Sequence, residues 1–202
     1  MKQTKPMQSP AFRLPLRADE PDWLAELPLT GGPVVRFRHV RPDDEPLVTE
    51  AIRTASPETL LHRFFSPIRS VSPKMLRQML SIDRTRETCI VGVTEENGAA
   101  RIVCGARYVK LPGAEAAEFA ITVHDDFQRR GLGKFLLRLL AGLARAEGIR
   151  QFEADVMNSN QKMLSLFRKA TDSRAGWRRT DDIHHVILDL ATLAQADTPE
   201  KP

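Results

Sequence analysis

Hydrophobic and polar residues follow regular spacings over most of the chain after residue 33. The segment VVRFRHV at 34–40 alternates between apolar and polar residues, as a half-buried strand does. A stripe of leucines at helical spacing predicts a helix over 132–147, which Gly148 would end. Further apolar segments bounded by turn residues predict strands at 88–94, 101–109, 115–124, 152–156, 175–180 and 183–190.

Capping residues mark the starts of further helices. In SPETLLHRFF, Ser56 stands at an N-cap and Pro57 at the first helical position, and SPKMLRQML repeats this pattern from Ser72. Acidic residues near the start of 41–55 favour a helix there because they complement the helix dipole, and a short helix is predicted at 160–170. The order of elements predicts a mixed α/β, α+β-like fold rather than a doubly wound sheet.

The two ends of the chain differ from its middle. Residues 1–33 hold six of the 14 prolines, and because proline removes amide donors, this segment cannot form a long helix or a central strand. We interpret 1–33 as a Pro-rich N-terminal arm that docks partly through its apolar residues. The globular domain is then expected over 34–190, and 191–202 is expected to be a flexible C-terminal tail.

Composition narrows the class of protein. Hydrophobic residues make up 42% and charged residues 28% of the 202, as in a soluble globular protein. No apolar run approaches the ~18 residues of a membrane span, and the basic N-terminus lacks the apolar core of a secretory signal. The only two cysteines stand in apolar surroundings without metal-ligand spacing. We therefore expect a cytoplasmic protein with free thiols, no metal and no membrane partner.

The segment VHDDFQRRGLGKFLL at 123–137 gives the most specific indication of a binding function in the sequence. It joins a predicted strand to a predicted helix through a polar loop with two glycines. Unpaired amides and the dipole at a helix start attract anions, and six basic residues against one acidic residue lie between 128 and 150. The segment therefore predicts a phosphate-binding loop. Its spacing excludes a P-loop, because Phe135 follows Lys134, and a dinucleotide fingerprint, because Leu136 replaces the third glycine.

This segment resembles the signature of the GNAT family of N-acetyltransferases. QRRGLG at 128–133 matches the family pattern R/Q-x-x-G-x-G/A, after a strand that ends in Val123 and before an asparagine, Asn160, beyond the next strand. The similarity covers about 34–190, where RPDDEPL, SPETLLHRFFSP, AEFAITV and LDL look most like the catalytic domains of bacterial protein-lysine acetyltransferases. It implies a GNAT-type fold, with a mostly antiparallel central sheet and helices on both faces.

The resemblance also implies where acetyl-CoA, the co-substrate, would bind. Family members hold the pantetheine arm along a strand edge that corresponds to Ile121, Thr122 and Val123. An asparagine that corresponds to Asn160 lies near the pantetheine or its sulfur. The diphosphate is held by the loop and the start of the next helix, which here are Gln128, Arg129, Arg130, Gly131, Leu132, Gly133 and Lys134.

Transfer to a lysine also requires a base, because the amine is mostly protonated at neutral pH. A glutamate at the position of Glu118 is the general base in the protein acetyltransferases that this chain resembles, and Glu115 is the second candidate. The family tyrosine that acts as general acid or sulfur contact is replaced by Phe167, which cannot donate a proton. The segment after Lys169 is longer than is usual in the family.

These observations predict an N-acetyltransferase that moves the acetyl group from acetyl-CoA directly to a primary amine, with a protein lysine as the favoured acceptor. A polyamine, an aminoglycoside or an amino acid is the alternative acceptor, and a catalytically weak acyl-CoA-binding regulatory module is the alternative class. Nucleic acid is not expected as a partner, because the net charge is only +4 and the 6% of aromatic residues do not interleave with basic ones. We expect a monomer or a homodimer.

Overall fold

One eight-stranded sheet forms the centre of the computed structural model, which describes residues 23–68, 70–96, 98–170 and 176–195. Its spatial order is β1-β2-β3-β4-β5-β6-β8-β7, and every neighbouring pair is antiparallel except β5 and β6. The strands are β1 (Trp23–Pro28), β2 (Val34–His39), β3 (Glu87–Glu96), β4 (Ala99–Lys110), β5 (Ala116–Val123), β6 (Gln151–Met157), β7 (Gly176–Thr180) and β8 (Ile183–Asp189).

Helices cover both faces of the sheet and enclose two hydrophobic clusters. The larger cluster packs α4, α5 and α6 on one face, and the smaller one packs α1, α2 and α3 on the other. This arrangement confirms the predicted mixed α/β class with a mostly antiparallel sheet. The helices of the described residues are α1 (Glu45–Thr54), α2 (Pro57–Phe64), α3 (Pro73–Leu80), α4 (Leu132–Ala146), α5 (Gln161–Ala170) and α6 (Leu190–Gln195).

The predicted caps determine where the helices begin and end. The hydroxyl of Ser56 accepts a hydrogen bond from the Thr59 amide at 3.1 Å, and that of Ser72 accepts one from the Met75 amide at 3.2 Å. Each bond satisfies a donor that the first helical turn leaves free. Gly148 follows α4 with a φ of +81°, a left-handed conformation that favours glycine.

The fold begins before residue 34, so the predicted boundary of the N-terminal arm is wrong. β1 pairs with β2 along the edge of the sheet, and Ala25 and Leu29 are buried in the larger cluster. An edge strand tolerates proline at its end, because one row of its main-chain groups needs no partner. Pro28 therefore ends β1 without breaking the sheet. The rest of the proposed arm, residues 1–22, lies outside the described residues.

The C-terminal boundary also shifts. α6 begins at Leu190 and continues to Gln195, and the side chains of Leu190 and Leu193 are buried in the larger cluster. Residues 191–195 therefore belong to the folded domain and not to a flexible tail, and 196–202 lie outside the described residues. None of the described helices has the length and apolar character needed to cross a membrane.

The parallel pair in the sheet opens a gap that positions the candidate site. β5 and β6 pair only through 116–118 and 151–153, where Glu118 stands opposite Glu153. Beyond Glu118, β5 continues to Val123 and pairs with β4 alone. The second half of β5 thus presents a free edge inside the sheet.

Candidate active site

The free edge of β5 offers main-chain groups to a ligand. The amide of His124, just after the strand, donates to the carbonyl of Val103 at 2.9 Å. Because bonding residues alternate along an antiparallel pair, the main-chain groups of Ile121 and Val123 point away from β4 and into the gap. The carbonyl of Val123 accepts a hydrogen bond there from Gln128 Nε2 at 3.1 Å. The amide of Ile121 remains available as a donor in the gap.

The loop between β5 and α4 presents amides to the same gap. It passes through a short 3-10 turn at Asp125–Phe127 and then through two left-handed residues, Arg129 (φ +61°) and Gly131 (φ +86°). Gly131 is the N-cap of α4 and has no capping side chain. Within the described residues, the amides of the first helical turn, 132–134, have no acceptor. Free amides at the positive end of a helix form an anion site.

A cleft of about 530 Å³ joins this loop to the free edge of β5. Its walls come from α2, β5, the loop and α5. Nine of the predicted site residues line it together: Ile121, Thr122, Val123, Gln128, Arg129, Gly131, Gly133, Lys134 and Asn160. The strand, loop and helix that the sequence predicted separately therefore meet in one cavity.

Two predicted loop residues direct their side chains elsewhere. Leu132 is 1% exposed and packs in the larger cluster, so only its amide can face a ligand. The guanidinium of Arg130 lies 5.2 Å from the centroid of the Phe127 ring and beside Gly32 in the β1–β2 turn. The Arg130 side chain therefore packs against the back of the loop, and the predicted role of Arg130 in binding the diphosphate would fall to its main-chain amide.

Gln128, the first residue of the signature, uses its side chain to hold the cleft walls together. Its Nε2 donates to Val123 O and, at 3.3 Å, to Thr59 Oγ1 of α2. Its Oε1 accepts a hydrogen bond from Lys162 Nζ of α5 at 2.8 Å. One side chain thus connects β5, α2 and α5 around the cleft.

Asp125 makes a second connection between the loop and α2. Its carboxylate accepts hydrogen bonds at 2.8 Å from the Ser56 amide, the Ser56 hydroxyl and the Thr59 hydroxyl. Burial raises the pKa of Asp125, but the hydrogen bonds from Ser56 and Thr59 outweigh it and leave the pKa below its usual value. The Asp125 carboxylate is therefore occupied by hydrogen bonds within the protein and cannot serve to bind an amine substrate.

Asn160 has a local role that sequence reasoning missed. Its Oδ1 accepts a hydrogen bond from the Met163 amide at 3.2 Å, and its carbonyl accepts one from the Leu164 amide. Asn160 is thus the N-cap of α5, a role typical of asparagine three residues before the bonded amide. Its amide nitrogen, Nδ2, is left to donate toward the cleft that Asn160 lines.

Glu118 lies at the point where β5 and β6 separate. It is exposed, whereas its neighbours Ala117 and Phe119 are buried on the opposite face. Its partner across the parallel pair is Glu153, and Asp155 follows on the same face of β6. The second candidate base, Glu115, instead pairs with Arg150 on the surface at 2.9 Å.

The acidic row on this face was not predicted from the sequence. Glu153 and Asp155 alternate with apolar residues in β6, as on a half-exposed strand, but only the strand order places them beside Glu118. His185 of β8 lies 3.6 Å from Glu153 and 2.9 Å from Asp155. Three carboxylates therefore lie on the open face next to the gap.

Phe167 is buried at 1% exposure in the wall behind the cleft. Its ring centroid lies 5.4 Å from that of Phe119. The side chain therefore packs in the larger cluster, and this position supplies no hydroxyl to the site. The longer segment that the sequence indicated after Lys169 falls mostly on residues 171–175, which lie outside the described residues.

Comparison with known proteins assigns the family. The sequence matches the acetyltransferase (GNAT) family over residues 55–171. It is 32% identical to Acetyltransferase PA5475 of Pseudomonas aeruginosa over 163 residues, which cover 81% of this chain and 87% of that protein. It is 34% identical to Acetyltransferase Pat of Mycolicibacterium smegmatis over 146 residues, which cover 72% of this chain but 42% of Pat.

A solved structure agrees with this assignment. The GNAT domain of S. lividans PAT superposes with a TM-score of 0.71 at 27% identity, and the match covers 82% of this chain and 96% of that domain. The predicted similarity to Pat-type catalytic domains is therefore confirmed. The chain belongs to the GNAT family and is an acetyl-CoA-dependent N-acetyltransferase.

Proposed function

We propose that this enzyme transfers the acetyl group from acetyl-CoA to the Nζ of a lysine on another protein, with Glu118 as the general base. The gap between β5 and β6 is the observation that carries the proposal. β5 carries Glu118 where the gap begins and the free edge of Ile121 and Val123 beyond it, and the loop that follows β5 leads to the free amides at the start of α4. A cytoplasmic location suits this activity and the free thiols of Cys89 and Cys104.

Different parts of the cleft suit the diphosphate and the pantetheine arm of coenzyme A. The diphosphate would bind the amides of 132–134, where the helix dipole favours negative charge. Arg129 and Lys134, which line the cleft, add positive charge beside those amides. The pantetheine arm carries amide groups and would pair with the Ile121 carbonyl and the Val123 amide, as an added strand would.

The chemistry follows from this alignment. The lysine nitrogen attacks the thioester carbonyl, and the Ile121 amide donates to the oxyanion that forms. Glu118 lies three residues, or about 10 Å, from Ile121 along the strand, so water carries the proton from the amine to its carboxylate. The C–S bond then breaks, and the CoA thiolate leaves with the electron pair and takes up a proton from solvent. Phe167 has no part in this transfer.

Two features support a protein as the acceptor. Phe65, just after α2, is 42% exposed, and its neighbours His62 and Arg63 line the cleft. An exposed aromatic side chain beside a cleft is typical of a protein contact. The similarity to the Pat acetyltransferases points in the same direction.

The acidic row favours a cationic acceptor of either kind. Glu118, Glu153 and Asp155 would attract a protonated lysine, and they would equally attract a small polyamine. A polyamine is therefore the second candidate acceptor. The two acceptors differ at the exposed Phe65, which a protein would contact and a small polyamine would not.

The general base is tested by Glu118→Gln, with Glu115→Gln as the matched control. Glutamine keeps the shape of the side chain but cannot take the proton, so turnover should fall by ~10²–10⁴-fold while acetyl-CoA affinity stays unchanged. Glu115→Gln should change neither quantity. Turnover would be followed by thiol release and affinity by calorimetry. Equal losses in both variants, or none in either, would contradict the role of Glu118.

The acceptor class is tested in a cell lysate incubated with the enzyme and acetyl-CoA. Mass spectrometry should find acetyl-lysine that depends on the enzyme and is lost with Glu118→Gln. A Phe65→Ala variant should lower protein acetylation but leave acetyl-CoA affinity unchanged. Rapid acetylation of a polyamine panel without any enzyme-dependent acetyl-lysine would refute the protein acceptor.

A further inference from the structure

Arg63 of α2 carries a guanidinium without an anionic partner. The residue is partly buried between its helix and the sheet, and it stacks on Phe64 with 5.3 Å from the guanidinium carbon to the ring centroid. Across the described residues, no carboxylate or other acceptor forms a hydrogen bond or ion pair with it. Burial lowers the pKa of Arg63, and the nearby Arg107 lowers it further. A cation that is partly withdrawn from water is stabilised when an anion completes the site.

None of the described carboxylates near Arg63 is bonded to it. Arg107 of β4 lies on the same side of the sheet and is bonded to Glu87, which accepts from Arg107 Nε at 2.9 Å. Glu87 is thus occupied by Arg107, and Glu118 is close enough only for a longer-range attraction. Arg107 therefore has a bonded carboxylate, whereas Arg63 has only the longer-range attraction of Glu118 and lacks a bonded anion among the described residues.

Arg63 stands at the junction of two cavities. One is the acetyl-CoA cleft, and the other is a cavity of about 130 Å³ between α1, α2, α3 and the sheet. The two cavities share Thr59, Arg63 and Thr122 as lining residues. The smaller one, which we call the Arg63 cavity, is lined mainly by apolar side chains, with Arg107 and His124 but no described aspartate or glutamate. It has an apolar wall and a positive side.

We propose that the Arg63 cavity receives an acyl group longer than acetyl that ends in a carboxylate, such as the succinyl group of succinyl-CoA. The inference rests on the proposed binding of coenzyme A in the neighbouring cleft. The methylene groups would pack on the apolar wall, and the terminal carboxylate would pair with Arg63 through charge-assisted hydrogen bonds. Such a group supplies the bonded anion that Arg63 lacks among the described residues, which neither acetyl nor a neutral acyl chain can do.

Transfer of such an acyl group forms and breaks the same bonds as acetyl transfer. A bond forms between the lysine nitrogen and the thioester carbon, and the C–S bond breaks. The thiolate leaves with the electron pair and is protonated, while the nitrogen loses its proton through water to Glu118. The terminal carboxylate of the acyl group stays on Arg63 and takes no part in bond making. Arg63 is therefore a specificity-determining residue and not an acid or a base.

The test compares two unreactive thioethers of coenzyme A, S-(3-carboxypropyl)-CoA and S-butyl-CoA, which differ only in the terminal group. Calorimetry on the full chain should show that the carboxylate compound binds about tenfold more tightly. Arg63→Gln should remove this preference, so that the two thioethers bind with equal affinity. Arg53→Gln, on the exposed side of α1, is the matched control and should keep the preference.

The possible outcomes distinguish a failure of the carboxylate site from a failure of the coenzyme A cleft on which it rests. Equal affinity of the two thioethers for the natural chain, or a preference that survives in Arg63→Gln, would overturn the carboxylate site. Loss of coenzyme A binding in Arg63→Gln would overturn the specificity role, since it would assign Arg63 to the whole cofactor. Absence of coenzyme A binding to the natural chain would overturn the proposed cleft itself. Circular dichroism of both variants would establish that they are folded.

Discussion

Single residues of this enzyme take their roles from contacts that are distant in sequence. Gln128 and Asp125 belong to a loop whose composition predicts anion binding, yet both side chains bond to Thr59, more than 60 residues earlier. Arg130 of the same loop packs against Phe127. The loop therefore binds its ligand mainly through main-chain amides, while its polar side chains fix the position of those amides.

Phe167→Tyr tests whether the missing phenol matters for catalysis. Phe167 is almost completely buried, so an added hydroxyl would enter a packed apolar cluster. We expect unchanged turnover and no alkaline limb in the pH–rate profile, together with a loss of about 1–3 kcal/mol in the free energy of unfolding. Thiol-release kinetics and urea unfolding measure the two effects. A large gain in turnover would contradict the direct transfer without a general acid.

Residue roles that depend on local sequence were predictable, and the others were not. The caps Ser56 and Ser72 follow from their spacing to the next amides, so the sequence predicts them. The unpaired state of Arg63 depends instead on which strands lie beneath α2. The same holds for the acidic neighbours of Glu118, because they arrive through the pairing of β5 with β6.

At the scale of elements, the start of α4 is the part of the site most directly open to test. Gly133→Glu would place a negative side chain where the diphosphate should bind. A Cβ at Gly133 meets only the flexible end of Leu166 at 3.3 Å, so the fold should persist. We expect acetyl-CoA binding to be lost in calorimetry, because the new carboxylate repels the phosphates and competes for the amides.

Gly142→Glu is the matched control for that substitution. Gly142 lies in the same helix, and a Cβ there meets no atom within 4 Å. The control adds the same charge to α4 more than two turns away and should leave acetyl-CoA affinity unchanged. If Gly133→Glu binds acetyl-CoA as tightly as this control, the anion site at the helix start is wrong.

The attachment of α2 to the loop should depend on pH through Asp125. The pKa of Asp125 is lower in the folded protein than in the unfolded chain, so its stabilising effect is complete above the unfolded value of 3.8. The effect is lost as pH falls below that value and through the folded pKa. Asp125→Asn should therefore lower the free energy of unfolding by about 1–3 kcal/mol at pH 7.

Urea unfolding of the natural chain and of Asp125→Asn from pH 7 to pH 3 measures this dependence. The difference between the two proteins should be constant above pH 5 and should shrink toward pH 3. A difference that stays the same throughout the range would show that the hydrogen bonds to Ser56 and Thr59 do not depend on the charge of Asp125.

Most elements could be predicted, and the two that were missed have physical reasons. The proline-rich start of the chain excludes a central strand, but the same prolines are compatible with an edge strand, which is what β1 forms. α6 is only six residues long, and its apolar residues are too few to show helical spacing. In both cases packing on the sheet, rather than local propensity, decides the structure.

At the scale of the whole molecule, function follows from one interruption in an otherwise continuous sheet. Two hydrophobic clusters on opposite faces hold α2 and α5 against the sheet, and these helices form walls of the cleft over the β5–β6 gap. The sequence predicts both strands and the helix between them. The gap itself could not be predicted, because it depends on where two parallel strands stop pairing.

The edge strand β1 gives a test of the corrected domain boundary. A chain that starts at residue 34 lacks β1 and the buried side chains of Ala25 and Leu29, and it uncovers Val35 and Phe37, which are completely buried in the natural chain. Burial of a single leucine-sized side chain contributes about 1.5–3 kcal/mol. We expect the free energy of unfolding of the chain 34–202 to fall by at least about 3 kcal/mol, which lowers Tm by roughly 6–12 °C for a protein of this size.

The chain 23–202 keeps β1 and is the matched control, so calorimetric melting of the two should separate the effect of β1 from that of the preceding residues. Equal melting temperatures for 34–202 and 23–202 would restore the boundary at residue 34, because they would show that β1 adds nothing to the stability of the sheet.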